Sequence, residues 1–369
     1  MVKVADGFHL WSQTYDRELT DIFAVQDEIA RSVVSAARRT LVTAQAAVPG
    51  ARRTGNHEAY TQFLLGRQFL NRGVIEDYRR SVEAYERAIA LDPSYAPAHA
   101  DLSEALALLV NAASTTSETR ISGQQQAFAE AEKAVELAPD LAEAHRARGI
   151  VRMTLRWDWS GARADLQRAL ELAPGDARAQ LWLGQLFAVL GQLLEAITAT
   201  RKAVESDPLE GDGWDFLGRY LAAAGDLEES RKAFRQALRI LPDSMWVQRE
   251  LAFTYLLSRE PAAALASFEK QEGWIHLTGL ALAHHDLGHP AEARKALDAL
   301  VALADPPTYQ IAQILAWWGD RDRAIEWLER GRAAQDAGLR YATYDPLLHS
   351  LRGDPRFAAF LQKMKLPVQ

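Results

Sequence analysis

Three histidines in one short segment are the side chains with the clearest potential for chemistry. His285 and His289 stand four residues apart, a spacing at which two imidazoles on one helical face can hold a metal ion. Gly288 and Pro290 flank His289, however, and both residue types interrupt helices. His284 does not supply a third ligand on that face. We therefore interpret the segment as a turn between two helices and expect no metal site there.

A second group of candidate catalytic side chains is acidic. Asp226, Glu228 and Glu229 could exchange protons as a general acid and base. The same residue types favour the first turn of a helix, where the dipole is positive, so we interpret them as a helix start. The chain lacks the phosphate-binding loop, the dinucleotide-binding glycine pattern, the H-E-x-x-H zinc motif and the G-x-S-x-G serine motif. The sequence therefore predicts neither a catalytic site nor a cofactor.

Tryptophans are frequent, and a row of exposed indoles could stack nucleobases. Apolar residues at helical spacing are more often core than ligand site, so we interpret most of them as packing residues. Trp246 is the exception, because we expect it to lie on a binding face. The tryptophans after residue 150 are Trp157, Trp159, Trp182, Trp214, Trp246, Trp274, Trp317, Trp318 and Trp327.

Composition and charge narrow the class of protein. Hydrophobic residues make up 48% of the chain and charged residues 25%, as in soluble proteins. The net charge of −7 argues against binding to nucleic-acid phosphates, which requires a basic surface. The absence of cysteine excludes disulfides and thiolate metal sites, and no apolar run reaches the roughly 20 residues of a membrane helix. We expect a soluble, cytoplasmic protein without a nucleic-acid or membrane partner.

An internal repeat becomes visible in four prolines that each close a helical segment. Pro139, Pro174, Pro208 and Pro242 lie 35, 34 and 34 residues apart. This period is typical of stacked helical hairpins. Small residues recur at fixed positions within it, where two helices can approach closely. The expected pairs across each hairpin are Gly184 with Ala196 and Ala203, and Gly218 with Ser230 and Ala237.

With Trp214, Leu217 and Phe234 in the same frame, these positions resemble the tetratricopeptide repeat, most specifically over residues 177–242. The resemblance implies an all-α, right-handed solenoid of roughly six to eight hairpins over residues 57–343, followed by capping helices at 344–369. The interval from Pro93 to Pro139 exceeds one period. Its surplus, the Ser- and Thr-rich residues 111–124, is predicted to form a long loop.

The two ends of the chain resemble a second family. The N-terminal stretch is similar to the end of the TolB-like segment of bacterial signalling proteins, in which an adenylate cyclase, winged-helix or kinase domain precedes and tetratricopeptide repeats follow. The closing residues Asp354-Pro355-Arg356-Phe357 resemble the end of the same proteins. We expect a truncated β-hairpin at 1–20 whose unpaired strand could self-associate, and a connecting helix at 21–48. The matching N-terminal motifs are His9-Leu10-Trp11-Ser12, Tyr15-Asp16-Arg17-Glu18-Leu19, Asp21-Ile22-Phe23 and Val25-Gln26-Asp27-Glu28-Ile29-Ala30.

The resemblance to tetratricopeptide repeats also assigns a concave face, formed by the first helix of each hairpin. Four arginines on that face could bind acidic side chains or a peptide C-terminus, while Trp246 and Phe253 could bury an apolar anchor. Alternatively, the carboxylates of Asp212, Asp215 and Glu143 pair with the arginines and neutralise the face. The Lys and Asn residues of the family's carboxylate clamp are missing. The candidate partner-binding residues are Glu143, Arg146, Arg178, Gln185, Asp212, Asp215, Arg219, Trp246, Arg249 and Phe253.

The sequence thus predicts a non-catalytic protein-interaction scaffold that binds a peptide or protein in its groove. One alternative is the regulatory C-terminal region of a class III adenylate cyclase. Another is a stand-alone hydrolase or metal enzyme that uses residues 284–289. The last helix, which begins after Asp354 and carries Phe357 and Phe360 on one face, is interpreted as a lid on the stack and alternatively as a partner-binding helix.

Overall fold

The computed structural model describes residues 54–70, 72, 74–112 and 117–368. The described residues belong to one compact unit, Arg52–Gln369. The β-hairpin predicted at 1–20, the helix predicted at 21–48 and the self-association through the first strand lie outside the described residues. Within the described part of the chain, the secondary structure is helical and contains no strand.

Over the described residues 57–333, sixteen helices form eight antiparallel hairpins, at the upper end of the expected number. Each hairpin packs against the next one along the chain, as a solenoid requires. Among the described residues, no helix is long and apolar enough to cross a membrane. The helices are α1 His57–Leu70, α2 Ile75–Leu91, α3 Ala96–Ala112, α4 Ser117–Leu137, α5 Ala142–Leu155, α6 Trp159–Leu172, α7 Ala177–Val189, α8 Leu193–Ser206, α9 Gly211–Ala223, α10 Leu227–Ile240, α11 Met245–Leu257, α12 Pro261–Phe268, α13 Gly273–Asp286, α14 Pro290–Val301, α15 Thr308–Trp317 and α16 Arg321–Ala333.

Within a hairpin, a glycine of the first helix lets the second helix approach closely. A Cβ atom on Gly218 would lie 2.6 Å from the ring of Phe234, and the hydroxyl of Ser230 donates to the Gly218 carbonyl at 2.7 Å. The predicted contact of Gly218 with Ser230 is therefore present. Ala237, which we also expected opposite Gly218, is buried in a cluster with Val247 of the following hairpin. Small residues thus serve contacts both within and between hairpins.

The loop predicted at 111–124 is wrong for most of its length. Helix α3 continues to Ala112 and α4 begins at Ser117, so the surplus residues lengthen a hairpin. A Cβ atom on Gly123 would lie 2.7 Å from the side chain of Val110, so α3 and α4 are in close contact within this region. Its Ser and Thr residues favour a loop locally, but packing between neighbouring helices outweighs this local preference.

The turns of the hairpins carry the acidic residues that we considered as an acid–base group. The Asp226 side chain accepts from the Glu229 backbone N–H at 3.3 Å, and Gly225 before it adopts a left-handed conformation with φ +86°. Glu228 and Glu229 lie in the first turn of α10. This arrangement is the N-cap that the spacing indicated.

The C-terminal segment returns to hairpins that lie far earlier in the chain. Two 3₁₀ helices, Ala337–Tyr341 and Pro346–Leu351, and helix α17, Pro355–Lys363, follow α16. The Thr343 hydroxyl lies 2.8 Å from the Val189 carbonyl oxygen, and the Trp159 indole N–H donates to the Met364 carbonyl at 3.1 Å. Helix α17 also contacts α16. The segment therefore does more than cover the last hairpin.

Candidate binding cavity

A cavity of about 930 Å³ lies among the first helices of successive hairpins. Helices α9, α11, α13 and α15 contribute side chains to its lining, together with Arg72, Val74, Ile75, Tyr78 and the segment after α16 that contains the two 3₁₀ helices. The second helices α2 and α10 also contribute lining residues, among them Tyr78 and Phe234. Six of the ten candidate residues line the cavity, namely Asp212, Asp215, Arg219, Trp246, Arg249 and Phe253.

The other four candidates do not line the cavity. Gln185 is only 1% exposed, and Arg146 is almost as deeply buried. Glu143 is half-buried, and Arg178 donates a hydrogen bond to the buried Glu104. The candidate residues that line the cavity therefore all lie on α9 and α11, towards the C-terminal half of the array.

One network of charges crosses from α9 to α11. The guanidinium of Arg219 donates two hydrogen bonds to Oδ2 of Asp215, at 2.7 and 3.0 Å. It also lies 3.7 Å from Oε1 of Glu250, the same oxygen that Arg249 contacts. Two arginines and two carboxylates thus form one continuous ion-pair chain on the cavity wall.

A second charged network joins residues of α3, α5 and the start of α7. Arg146 donates to Oδ2 of Asp176, and its Nε lies 3.8 Å from Glu104. Glu104 also accepts from Arg178. Glu104 is 1% exposed, so these charges are compensated within the protein interior.

Each of the four candidate arginines therefore has a carboxylate partner within the chain. Of the two alternatives left open by the sequence, this geometry corresponds to mutual neutralisation. The expected partner Asp215 does pair with Arg219, but Glu104, Asp176 and Glu250 were missed. Only Glu250 carried a local signal, because it follows Arg249 directly in the sequence.

The pKa values of the acidic side chains on the cavity wall shift in different directions, because burial raises each of them while neighbouring arginines lower them. Burial raises the pKa of Asp215 to about 6, although the ion pair with Arg219 opposes the shift. Burial acts in the same direction on Glu250, but Arg219 and Arg249 outweigh it and lower the Glu250 pKa. Asp212 is open to solvent within the cavity, yet the surrounding walls, followed by Glu210, raise its pKa to about 6.

Aromatic side chains form the apolar part of the lining. Trp246 is 37% exposed, and its ring centroid lies 5.7 Å from that of Trp274. The Arg249 guanidinium lies 5.2 Å from the Trp246 ring centroid and 5.6 Å from that of Trp274, so it stacks with both rings. Phe253, in contrast, packs on Phe268 and is almost fully buried. Trp246 is thus the more accessible of the two predicted anchors.

The segment that contains the two 3₁₀ helices, residues 337–351, forms part of the cavity lining. The Tyr341 ring lies 5.9 Å from the Arg219 guanidinium, and Tyr344 packs edge-on against Tyr220 at 5.6 Å. These contacts place the C-terminal segment against α9. No local sequence pattern indicates this contact, because the residues it joins lie more than one hundred positions apart.

The histidine segment spans the last turn of α13, which holds His284 and His285, and the turn that leads to α14. His284 lies near the end of α13, and its Nδ1 is 3.4 Å from Nδ1 of His289, which directly precedes α14. His285 points elsewhere and stacks on Trp318 at 5.3 Å. Among the described residues, no three His, Cys, Asp or Glu side chains come together as a metal site would require.

Comparisons with known proteins agree with the repeat. Two tetratricopeptide repeat models match residues 158–210 and 211–254. A TPR repeat-containing protein of Pseudomonas aeruginosa is 33% identical over 73 residues, which cover 20% of this chain and 70% of that protein. A putative adenylate cyclase 3 of Rhizobium meliloti is 36% identical over 103 residues, which cover 28% of this chain and 18% of the cyclase.

The chain matches less than a fifth of the length of the Rhizobium relative. Among solved structures, yeast Tom70 is similar over 94% of this chain and 79% of its own, with 17% identity and a TM-score of 0.46. The Pseudomonas relative is matched over more than two thirds of its length. Together with the repeat models and the eight hairpins, this match shows that the chain belongs to the tetratricopeptide repeat family.

Proposed function

We propose that this chain is a non-catalytic scaffold that binds a peptide or protein partner in the cavity beside α9 and α11. The observation that carries this proposal is the cavity itself, which the first helices of successive hairpins line and in which Trp246 remains accessible. Large aromatic side chains in such pockets commonly anchor protein partners. The resemblance of both chain ends to bacterial signalling proteins supports a cytoplasmic signalling role.

Capture of partners from a bacterial lysate tests where binding occurs. Trp246→Ala removes the accessible indole, and Met245→Glu places a charge on an exposed side chain of the same lining. Leu194→Ala is the matched control, because Leu194 is exposed on α8 and does not line the cavity. We expect specific partners to be retained by the wild type and the Leu194 variant and lost by both cavity variants. Equal capture by all four proteins, with unchanged circular dichroism spectra, would contradict the proposal.

A regulatory region of a class III adenylate cyclase is the second candidate function. It is supported by the 36% identity to the Rhizobium protein, a match that covers 18% of that cyclase. The genomic codons upstream of Met1 distinguish the two candidates, because the second requires a catalytic domain encoded in frame. The purified chain itself is expected to form no cyclic AMP from ATP, and measurable formation would contradict its assignment as a non-catalytic scaffold.

A further inference from the structure

The cavity carries more negative than positive groups. Among its described lining residues, seven have carboxylates, four have guanidinium groups and none is lysine or histidine. Arg219 and Arg249 are engaged by Asp215 and Glu250, as described above. Arg72 lies 3.8 Å from Asp77. Most of the positive charge is therefore already neutralised within the chain.

Several of the described lining carboxylates, in contrast, have no cationic group within 4 Å. Asp345 is satisfied by the Tyr309 hydroxyl and the Gln313 amide, both at 2.6 Å. Within the described part of the chain, three lining carboxylates make no ion pair closer than 4 Å and accept no hydrogen bond. These are Asp212, Asp243 and Asp305.

A buried oxygen on the same helix face also lacks a partner. Asp215 is 6% exposed, and Arg219 donates both of its hydrogen bonds to Oδ2, so that Oδ1 has no partner. Asp212 precedes Asp215 by three residues, which places both side chains on one face of α9. A buried carboxylate oxygen without a donor is unfavourable. A cationic ligand at this position would relieve that cost.

The cavity also contains a donor that no chain group satisfies. Arg340 lines it, and its Nη2 donates to the Tyr341 hydroxyl at 2.6 Å, while Nε and Nη1 have no partner. A peptide has groups for both needs, because a lysine or arginine side chain is a donor and each main-chain carbonyl is an acceptor. Aromatic faces such as those of Phe216 and Trp246 also attract cations.

We propose that the cavity binds a basic peptide segment of its partner, with a lysine or arginine side chain held by Asp212 and Oδ1 of Asp215 and a main-chain carbonyl held by Arg340. This inference rests on the proposed function. It assigns to the groove the opposite charge preference from the one suggested by its row of arginines. Arginine in the sequence alone indicates an anion site, but arginine already paired within the chain does not.

Titration of the full chain with short end-blocked peptides tests the preference. The probes have equal length and alternate alanine with lysine, glutamate or glutamine, and calorimetry measures each affinity at low and at high salt. We expect the lysine peptide to bind tightest and to weaken as salt rises. Asp212→Asn should weaken it about two- to fivefold, and Asp212→Lys by about tenfold or more.

Asp298→Asn and Asp298→Lys are the matched controls, because Asp298 is exposed on α14 and does not line the cavity. Tighter binding of the glutamate peptide, equal effects at positions 212 and 298, or no binding of the lysine peptide below about 1 mM would overturn the inference. If a partner is still captured through Trp246 in any of these cases, the scaffold function stands and only the charge assignment is wrong. Capture that is insensitive to Trp246 would remove both.

Discussion

Single glycines decide how closely neighbouring helices pack, both between successive hairpins and within one hairpin. A Cβ atom on Gly279 would lie 1.9 Å from Cγ of Phe268, which is fully buried and has no room to move. The same relation holds between Gly66 and Tyr85, with a distance of 2.5 Å. Glycine has a low helix propensity, which disfavours the helix at this position. In return, an aromatic ring of the neighbouring helix fills the space that the missing side chain leaves.

Gly279→Ala is expected to destabilise the protein. Alanine gains about 1 kcal/mol of helix propensity, but forcing extra atoms into a packed core costs about 1–3 kcal/mol. The 1.9 Å overlap with a buried ring places the cost at the upper end, so we expect a net loss. Urea unfolding measures the change. Gly175→Ala is the control, because no atom lies within 4 Å of its added Cβ, and a comparable loss there would refute the packing argument.

A second residue-scale prediction concerns the carboxyl of Asp212. Burial within the cavity walls raises its pKa from the ordinary value of 3.8 to about 6, so the folded state binds a proton more readily than the unfolded state. The contribution of Asp212 to stability is therefore most favourable at low pH and is lost as pH rises through about 6. The charged groups that act on Asp212 are Glu210, Arg178, Arg219 and Glu104.

Replacing Asp212 by Asn removes this titration. We expect Asp212→Asn to unfold at higher urea concentration than the wild type near about pH 7, with the gain shrinking near about pH 4. Asp298→Asn reports the effect of removing an exposed carboxylate elsewhere. A gain of equal size at both pH values would show that the Asp212 pKa is not raised in the folded state.

At the scale of helices, the sequence pattern predicts the hairpins but not the contacts between residues that are distant in the chain. The period of Pro139, Pro174, Pro208 and Pro242 indicated the hairpins, because one repeat contacts mainly its neighbours and so repeats its sequence pattern. The loop predicted at 111–124 is wrong because its serines and threonines favour a loop locally, while α3 and α4 extend beyond the usual repeat length. The ion pair between Glu104 and Arg178 could not be predicted for a related reason, because 74 residues separate the two in the sequence.

Helix α17 provides a prediction at the same scale. Phe360 is fully buried and stacks with Phe357 at 6.1 Å between ring centroids. Phe360→Ala should therefore cost about 3–5 kcal/mol of unfolding free energy. Val368→Ala, just beyond the helix, is the control because Val368 is about half exposed. If both variants unfold at the same urea concentration, α17 does not contribute to the core as its burial indicates.

At the scale of the whole array, the C-terminal segment departs from the usual behaviour of solenoids. In an open stack each repeat interacts only with its neighbours, so the ends can unfold separately. Here Trp159 of α6 bonds the Met364 carbonyl, and Thr343 lies 2.8 Å from the carbonyl of Val189 at the end of α7. These contacts join parts of the chain separated by more than 150 residues. No local sequence pattern encodes such pairs.

The long-range contact should couple the two regions in hydrogen exchange. Trp159→Phe keeps a buried ring but removes the N–H bonded to Met364, a loss of about 1 kcal/mol. We expect faster amide exchange in α5–α7 and also in residues 337–366, measured by mass spectrometry. Trp214→Phe removes an indole bond to the Pro208 carbonyl only six residues away, so its effect should remain near that turn. If exchange in the Trp159 variant rises only around α6, the C-terminal segment does not hold the earlier hairpins, and the array unfolds as an open stack.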